Sequence, residues 1–255
     1  MSAMLEVRNL TKRFGGLVAN DSISFEAARG ELLGIIGPNG AGKTTLFNCI
    51  AGLHRADSGS VLFEGRDITG FKSHETARLG LTRTFQVYAA SGDLTVRENV
   101  MVGCFMNTSS PSRAAEQAGQ ILKDLQIAHL AGNLVNQLPI AAQKRVVMAT
   151  AIATKPKMLL LDEVAAGLVP QEVEEISSLI RLIHGSLDIT CILIEHVMEM
   201  VRKLCGRVVV LDYGRKIAEG EPGAVLRSPE VIKAYLGEKY ARDYAEKVKE
   251  CPEPS

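Results

Sequence analysis

The sequence predicts an α/β fold in which a mostly parallel sheet is covered on both faces, and three observations carry that prediction. Short, wholly apolar runs recur at Leu32-Leu33-Gly34-Ile35-Ile36, Met158-Leu159-Leu160-Leu161, Thr190-Cys191-Ile192-Leu193-Ile194 and Val208-Val209-Val210-Leu211. Strands buried on both faces read as such continuous runs rather than as alternations. Helical spacing separates the second run from the third, over 172–184, and strand alternating with helix builds a parallel sheet. The third observation is the run Gly37-Pro38-Asn39-Gly40-Ala41-Gly42-Lys43-Thr44-Thr45, which directly follows the first apolar strand and precedes a helix-like segment at 46–50.

Taken in order, 5–9 and 23–26 alternate apolar and polar residues like strands with one solvated face. The turn Arg29-Gly30-Glu31 then leads into the apolar strand before the glycine-rich run. Another short strand lies within 59–68, with Gly65 supplying a turn. Between 87 and 156 the β-branched runs disappear and 114–125 and 143–154 take helical spacing, which predicts a helical insertion. Strand patterns return from Met158 onward. From Glu238 the chain is charged, has no apolar stripe and ends Cys251-Pro252-Glu253-Pro254-Ser255, which predicts a mobile tail. The expected organisation is a discontinuous α/β core at 1–86 and 157–237, a helical subdomain at 87–156 and the tail at 238–255.

With 255 residues, 46% of them hydrophobic, the chain can fill one large α/β core. Lys+Arg and Asp+Glu balance at 29 each, so no net field favours bulk nucleic-acid or anionic-membrane binding. The five cysteines, Cys49, Cys104, Cys191, Cys205 and Cys251, form no Cys-x-x-Cys pair and read as small core residues of a reducing cytoplasm. No stretch approaches the ~18 apolar residues that a spanning helix needs, and the N-terminus lacks the layout of a signal peptide.

The chemistry starts at the glycine-rich run. Gly37, Gly40 and Gly42 can take dihedrals closed to other residues, so main-chain N–H groups can approach phosphate oxygens with no Cβ in the way. Lys43 adds a point charge for the β- and γ-phosphates, Thr44 offers a hydroxyl to Mg²⁺, and the helix that follows favours negative charge at its N-terminus. Asp162 and Glu163 end a core strand, at the sheet edge where α/β folds bind ligands. There Asp162 would hold the Mg²⁺ shell, and Glu163 would orient or deprotonate a water attacking the γ-phosphate. His196 ends a second apolar strand and can reach the same edge. Gln86, where sheet pattern gives way to the helical insertion, can contact both Mg²⁺ and the attacking water. His54, His74, His129 and His184 read as structural.

This order of motifs resembles the ATP-binding-cassette family of transport ATPases: phosphate loop, glutamine before a helical subdomain, Leu161-Asp162-Glu163, then a strand ending in histidine. The likeness spans about 4–236. Within the family, 164–170 (Val-Ala-Ala-Gly-Leu-Val-Pro), Ile194-Glu195-His196 and Ala234-Tyr235-Leu236-Gly237 look most like the ATPase subunits of branched-chain amino acid importers. The resemblance implies a P-loop NTPase (RecA-like) core with an N-terminal antiparallel β part and an inserted helical subdomain. It implies head-to-tail dimerisation, with ATP between one subunit's phosphate loop, Gly37 to Thr45, and the other's signature helix, and it assigns Phe14 to stacking on adenine. It further implies docking on transmembrane permease subunits near Gln86, Val87 and Tyr88, on the inner face of the cell membrane. A solute-binding protein would act only indirectly, and no nucleic acid is expected.

The pattern breaks at the signature, Leu-Ser-Gly-Gly-Gln in the family, which here reads Leu138-Pro139-Ile140-Ala141-Ala142-Gln143-Lys144-Arg145. Pro139 has neither hydroxyl nor N–H, and Ile140 and Ala141 put Cβ atoms where glycines let backbone close on the γ-phosphate. Losing one preorganised donor costs about 3 kcal/mol in the transition state, roughly a hundredfold in rate. Thr150 stands for the usual arginine, Val164 for proline, Val169 for asparagine and Val197 for an acid. A heterodimer whose other subunit carries an intact signature is therefore expected. A plainer reading makes 138–145 an ordinary helix start with Pro139 at N1, where backbone donors still bind anions. The alternatives are a catalytically weak nucleotide-binding subunit and a soluble, non-transport ATPase of the same fold. A GTPase fits less well, because no Asn-Lys-x-Asp guanine-reading sequence occurs.

Overall fold

The computed structural model describes residues 3–84 and 91–237; Gln86, the expected docking residues Val87 and Tyr88, and the 238–255 tail lie outside them. In chain order come β1 (Ala3–Phe14), β2 (Leu17–Ala28), β3 (Leu32–Ile36), α1 (Lys43–Ile50), β4 (Ser58–Phe63), β5 (Arg66–Asp67), α2 (Ser73–Arg78) and β6 (Leu81–Arg83). The helical stretch follows as α3 (Val96–Cys104), α4 (Pro111–Asp124) and α5 (Ile140–Ala153). The chain then resumes with β7 (Met158–Asp162), α6 (Pro170–Ser186), β8 (Thr190–Ile194), α7 (Met198–Leu204), β9 (Arg207–Asp212), β10 (Arg215–Gly220) and α8 (Pro222–Val225).

Two sheets result. One is antiparallel in the order β2-β1-β4-β5; the other runs β10-β9-β3-β8-β7-β6, parallel throughout except for the β10–β9 hairpin. β1 and β2 are each twelve residues long and outrun the predicted 5–9 and 23–26. Their pairing shifts register between Val7 and Leu10 and again between Leu10 and Lys12. Each shift flips which residues face the core, so the alternation that marks a strand is interrupted. β6 and α2 were not legible at all, since three and six residues are too few to show a period.

The parallel sheet divides its side chains by parity. Leu33, Ile35, Met158, Leu160, Ile192, Ile194, Val209 and Leu211 pack with α1 and the antiparallel sheet. Leu32, Ile36, Leu159, Leu161, Cys191, Leu193, Val208 and Val210 pack on the opposite face, with residues of α3 to α7. Burying a Leu, Ile or Phe fully is worth about 1.5–3 kcal/mol, and Phe47 and Leu46 anchor α1 beneath the loop at 0% exposure. Cys49, Cys104, Cys191 and Cys205 are buried, free thiols.

Helix starts required two corrections. α1 begins at Lys43 rather than after Thr45, because Gly42 at φ 95° is its N-cap. Pro139 is the N-cap of α5 and not its first helical residue, since its ψ of 153° is extended.

Candidate nucleotide-binding site

Parallel order brings the ends of β3, β8 and β7 side by side, and each end carries a piece of the site. After β3 the glycine-rich run turns back under α1. Gly42 cannot be replaced there: an added Cβ would lie 2.2 Å from the Ala19 carbonyl oxygen and 2.6 Å from Asn20 Nδ2. Gly37 is as confined, with a Cβ only 2.1 Å from the Leu211 carbonyl oxygen. Lys43 is 5% exposed, and its ammonium donates to the carbonyls of Gly37 at 2.8 Å and Pro38 at 2.9 Å. Burial pushes its pKa down, while the charges of Glu163 and Asp162 pull it back up.

One cavity is lined by Phe14, Leu17, Val18, Ala19, the loop from Asn39 through Gly40, Ala41, Gly42, Lys43 and Thr44 to Thr45, and by Glu163 and Tyr213. Thus the aromatic ring, the phosphate loop and the carboxylate expected to prime water, 120 residues further on, share one space. Phe14 is 44% exposed at its rim, and its ring meets that of His54 edge-on at 5.4 Å. His54 therefore buttresses the one residue expected to face a base.

Glu163 follows the last residue of β7 and holds φ at +47°, a left-handed value unusual for a side-chain-bearing residue. Its N–H donates to the Ile194 carbonyl at 2.9 Å, and its Oε1 lies 3.0 Å from Nε2 of His196. The histidine is thus joined to the cavity through the glutamate. Asp162 sits one step deeper, with its Oδ2 accepting from Arg83 at 2.5 Å; the two side chains are 0% and 6% exposed. Burial pushes the Asp162 carboxyl up, and the Arg83 guanidinium draws it back down.

Whether these residues suit Mg²⁺ can be judged from Asp162 itself. Its Oδ1 is buried with no hydrogen-bond partner, a hard oxygen without a donor one residue before Glu163, which lines the cavity together with Thr44. Among the described residues no group of three or more His, Cys, Asp or Glu forms a metal cage. An ion that binds through one or two protein oxygens plus water and substrate phosphate is the kind this donor set fits.

Several contacts around the candidate site were not read from the sequence. Arg83 joins Asp162 to Asn48 on α1; Asn20, 0% exposed, donates to the Gly42 carbonyl at 3.0 Å. Tyr213 lines the cavity from the β9–β10 turn, and Glu195 and Lys144 grip the backbone beside Glu163. Of these, only Glu195 carried a signal, as an acid at the end of an otherwise apolar strand.

Comparison with known proteins identifies the family. Residues 20–166 match the family described as ABC transporter. The chain belongs to that family. It is an ATP-binding, ATP-hydrolysing cassette, and residues 215–241 also match the family described as branched-chain amino acid ATP-binding cassette transporter. The chain is 36% identical over 250 residues to the high-affinity branched-chain amino acid transport ATP-binding protein BraF of Pseudomonas aeruginosa, covering 92% of this chain and 98% of that one. The corresponding LivG protein of Escherichia coli matches with the same identity and coverage. Among solved structures, a nucleotide-free ATP-binding cassette from an ABC transporter superposes with a TM-score of 0.85 at 33% identity, over 93% of this chain and 100% of that one. The fold is therefore the P-loop NTPase core with its antiparallel part, as the sequence predicts.

Proposed function

We propose that this cassette hydrolyses ATP to drive uptake of a small polar solute, a branched-chain or related amino acid. The observation that carries the catalytic half of the proposal is the cavity shared by Lys43, Thr44 and Glu163, with His196 on the glutamate's carboxylate. The solute half is supported by the family match at 215–241 and by the names of BraF and LivG. Among the described residues no helix is long and apolar enough to cross a membrane. The proposed assembly therefore adds transmembrane permease subunits, with the cassette peripheral on the inner face, and a solute-binding protein that meets the cassette only through them.

Phosphoryl transfer needs mainly positioning and charge. The amides of Gly40 to Thr45 and the α1 N-terminus hold the phosphates, the Lys43 ammonium neutralises the β- and γ-phosphates, and Phe14 stacks on adenine. Thr44 and Asp162, together with Gln86, would hold Mg²⁺, which supplies Lewis-acid charge on the phosphate oxygens. Glu163 accepts a proton from the attacking water, and the His196 imidazole keeps that carboxylate aimed.

Glu163→Gln tests the reading. The variant should bind ATP with the parental affinity and lose hydrolysis by at least a hundredfold, measured by calorimetry and phosphate release in the transport complex. Unchanged turnover would remove Glu163 from catalysis.

A further inference from the structure

The backbone that presents Glu163 is held from two sides by residues outside the nucleotide cavity. From one side comes Lys144, on the first turns of α5. Its ammonium donates to the Glu163 carbonyl at 3.3 Å and to the Ala166 carbonyl at 2.5 Å. From the other side comes Glu195, at the end of β8 and 1% exposed. Its Oε1 accepts from the Ala165 N–H at 2.7 Å, and its Oε2 accepts from the His196 N–H at 3.2 Å. One carboxylate therefore ties the turn after Glu163 to the backbone of the histidine that meets the Glu163 side chain.

We propose that Lys144 and Glu195 form a clamp that sets the pose of Glu163 and makes hydrolysis depend on where α5 stands.

Glu163 adopts a left-handed conformation that a side-chain-bearing residue leaves when nothing holds it. The clamp supplies that hold: a cation on two carbonyls, an anion on two amides. Such charge-assisted bonds are stronger than neutral ones, and the bond from the Ala165 N–H to Glu195 lies in a buried setting. The electrostatics agree with this geometry. Burial pushes the Glu195 carboxyl up and the Lys144 ammonium down, and each is drawn back by the other's charge. Lys144 also belongs to 138–145, the stretch that departs from the family signature, and α5 packs chiefly with α3 and α4. A shift of α5 relative to β7 would thus pull on the carbonyl of Glu163 itself. Both members act as positioning residues, since neither lines the cavity.

The clamp rests on the proposed catalytic role of Glu163, so Glu163→Gln is measured beside it. In the complex purified with its membrane subunits, Lys144→Met should lower kcat at least tenfold and leave the KM for ATP within twofold, because the phosphate loop is untouched. Lys144→Arg, which keeps the charge and the donors, should recover most of the rate. Hydrogen exchange at the amides of 164–166 should quicken in Lys144→Met and not in Lys144→Arg. If Lys144→Met fails to fold, Lys144→Gln carries the same comparison. A parental kcat in the folded Met or Gln variant, with Glu163→Gln inactive, overturns the clamp alone. A loss of rate matched by an equal loss of ATP affinity also overturns it. An active Glu163→Gln overturns the clamp and the catalytic reading together.

Discussion

Glu195 shows how much one buried carboxylate can report. It is enclosed by the turn after β7, by the start of the segment leading into α7 and by Lys144, and burial raises its pKa above the ordinary 4.5. In the pH window between 4.5 and that raised value the folded chain binds a proton that the unfolded chain has released, so the parent's stability falls as pH rises through it. Glutamine does not titrate. The melting temperature of Glu195→Gln relative to the parent should therefore climb from pH 4 upward and level off once the parental carboxyl is ionised. A difference that stays flat with pH would show that Glu195 has an ordinary pKa. Lys43 has the opposite sign: its lowered pKa means that the stability lost to its burial is recovered as pH rises toward 10.5. At this scale the sequence revealed identities well and partners poorly. The pattern singles out Lys43, Asp162 and Glu163, of which Lys43 and Glu163 line one cavity, whereas nothing in it points to Arg83, 79 residues before Asp162.

The elements are bounded by local chemistry, and one boundary is poorly made. α3 opens with a capping box in which Thr95 accepts from the Glu98 N–H at 3.2 Å and Glu98 accepts from the Thr95 N–H at 2.8 Å. α5 closes differently. After Thr154, Lys155 takes φ +57° and donates its N–H to the Ile152 carbonyl, a left-handed ending for which glycine is preferred. Lys155→Gly should stabilise the chain by about 1 kcal/mol, because the Cβ penalty disappears and the side chain that is lost is exposed. Chemical denaturation checks this, and a loss of stability would contradict it. Helices of ordinary length, such as α4, α5 and α6, were legible within a few residues because their apolar spacing repeats several times. β6 and α2 were not, because tertiary pairing and not periodicity makes them regular.

For the whole molecule the consequential feature is the start of α5. Pro139 caps it with no side-chain hydrogen bond, and Ile140 is 58% exposed there. In the head-to-tail dimer that the family resemblance implies, this surface would meet the other subunit's nucleotide without the hydroxyl and glycines of the family signature. The lone chain should therefore hydrolyse ATP slowly. Mixing it with a cassette that carries Leu-Ser-Gly-Gly-Gln should raise turnover at the phosphate loop of this chain by about a hundredfold, the value of one lost donor. Phosphate release from the separate and mixed chains measures it. A fast homodimer would argue instead that backbone donors at the helix start suffice.

The amino-acid sequence by itself determined the glycine-rich loop between β3 and α1, the buried character of the parallel strands and the two carboxylates where β7 ends. Each of these is a local pattern, in which residues a few positions apart share one physical demand. Strand order and register decided the rest: that β3 lies between β8 and β9, that Arg83 faces Asp162, and that Lys144 and Glu195 close on the same turn. Those contacts join residues far apart in the chain, and their geometry comes from how apolar faces pack. No stretch of neighbouring residues encodes it.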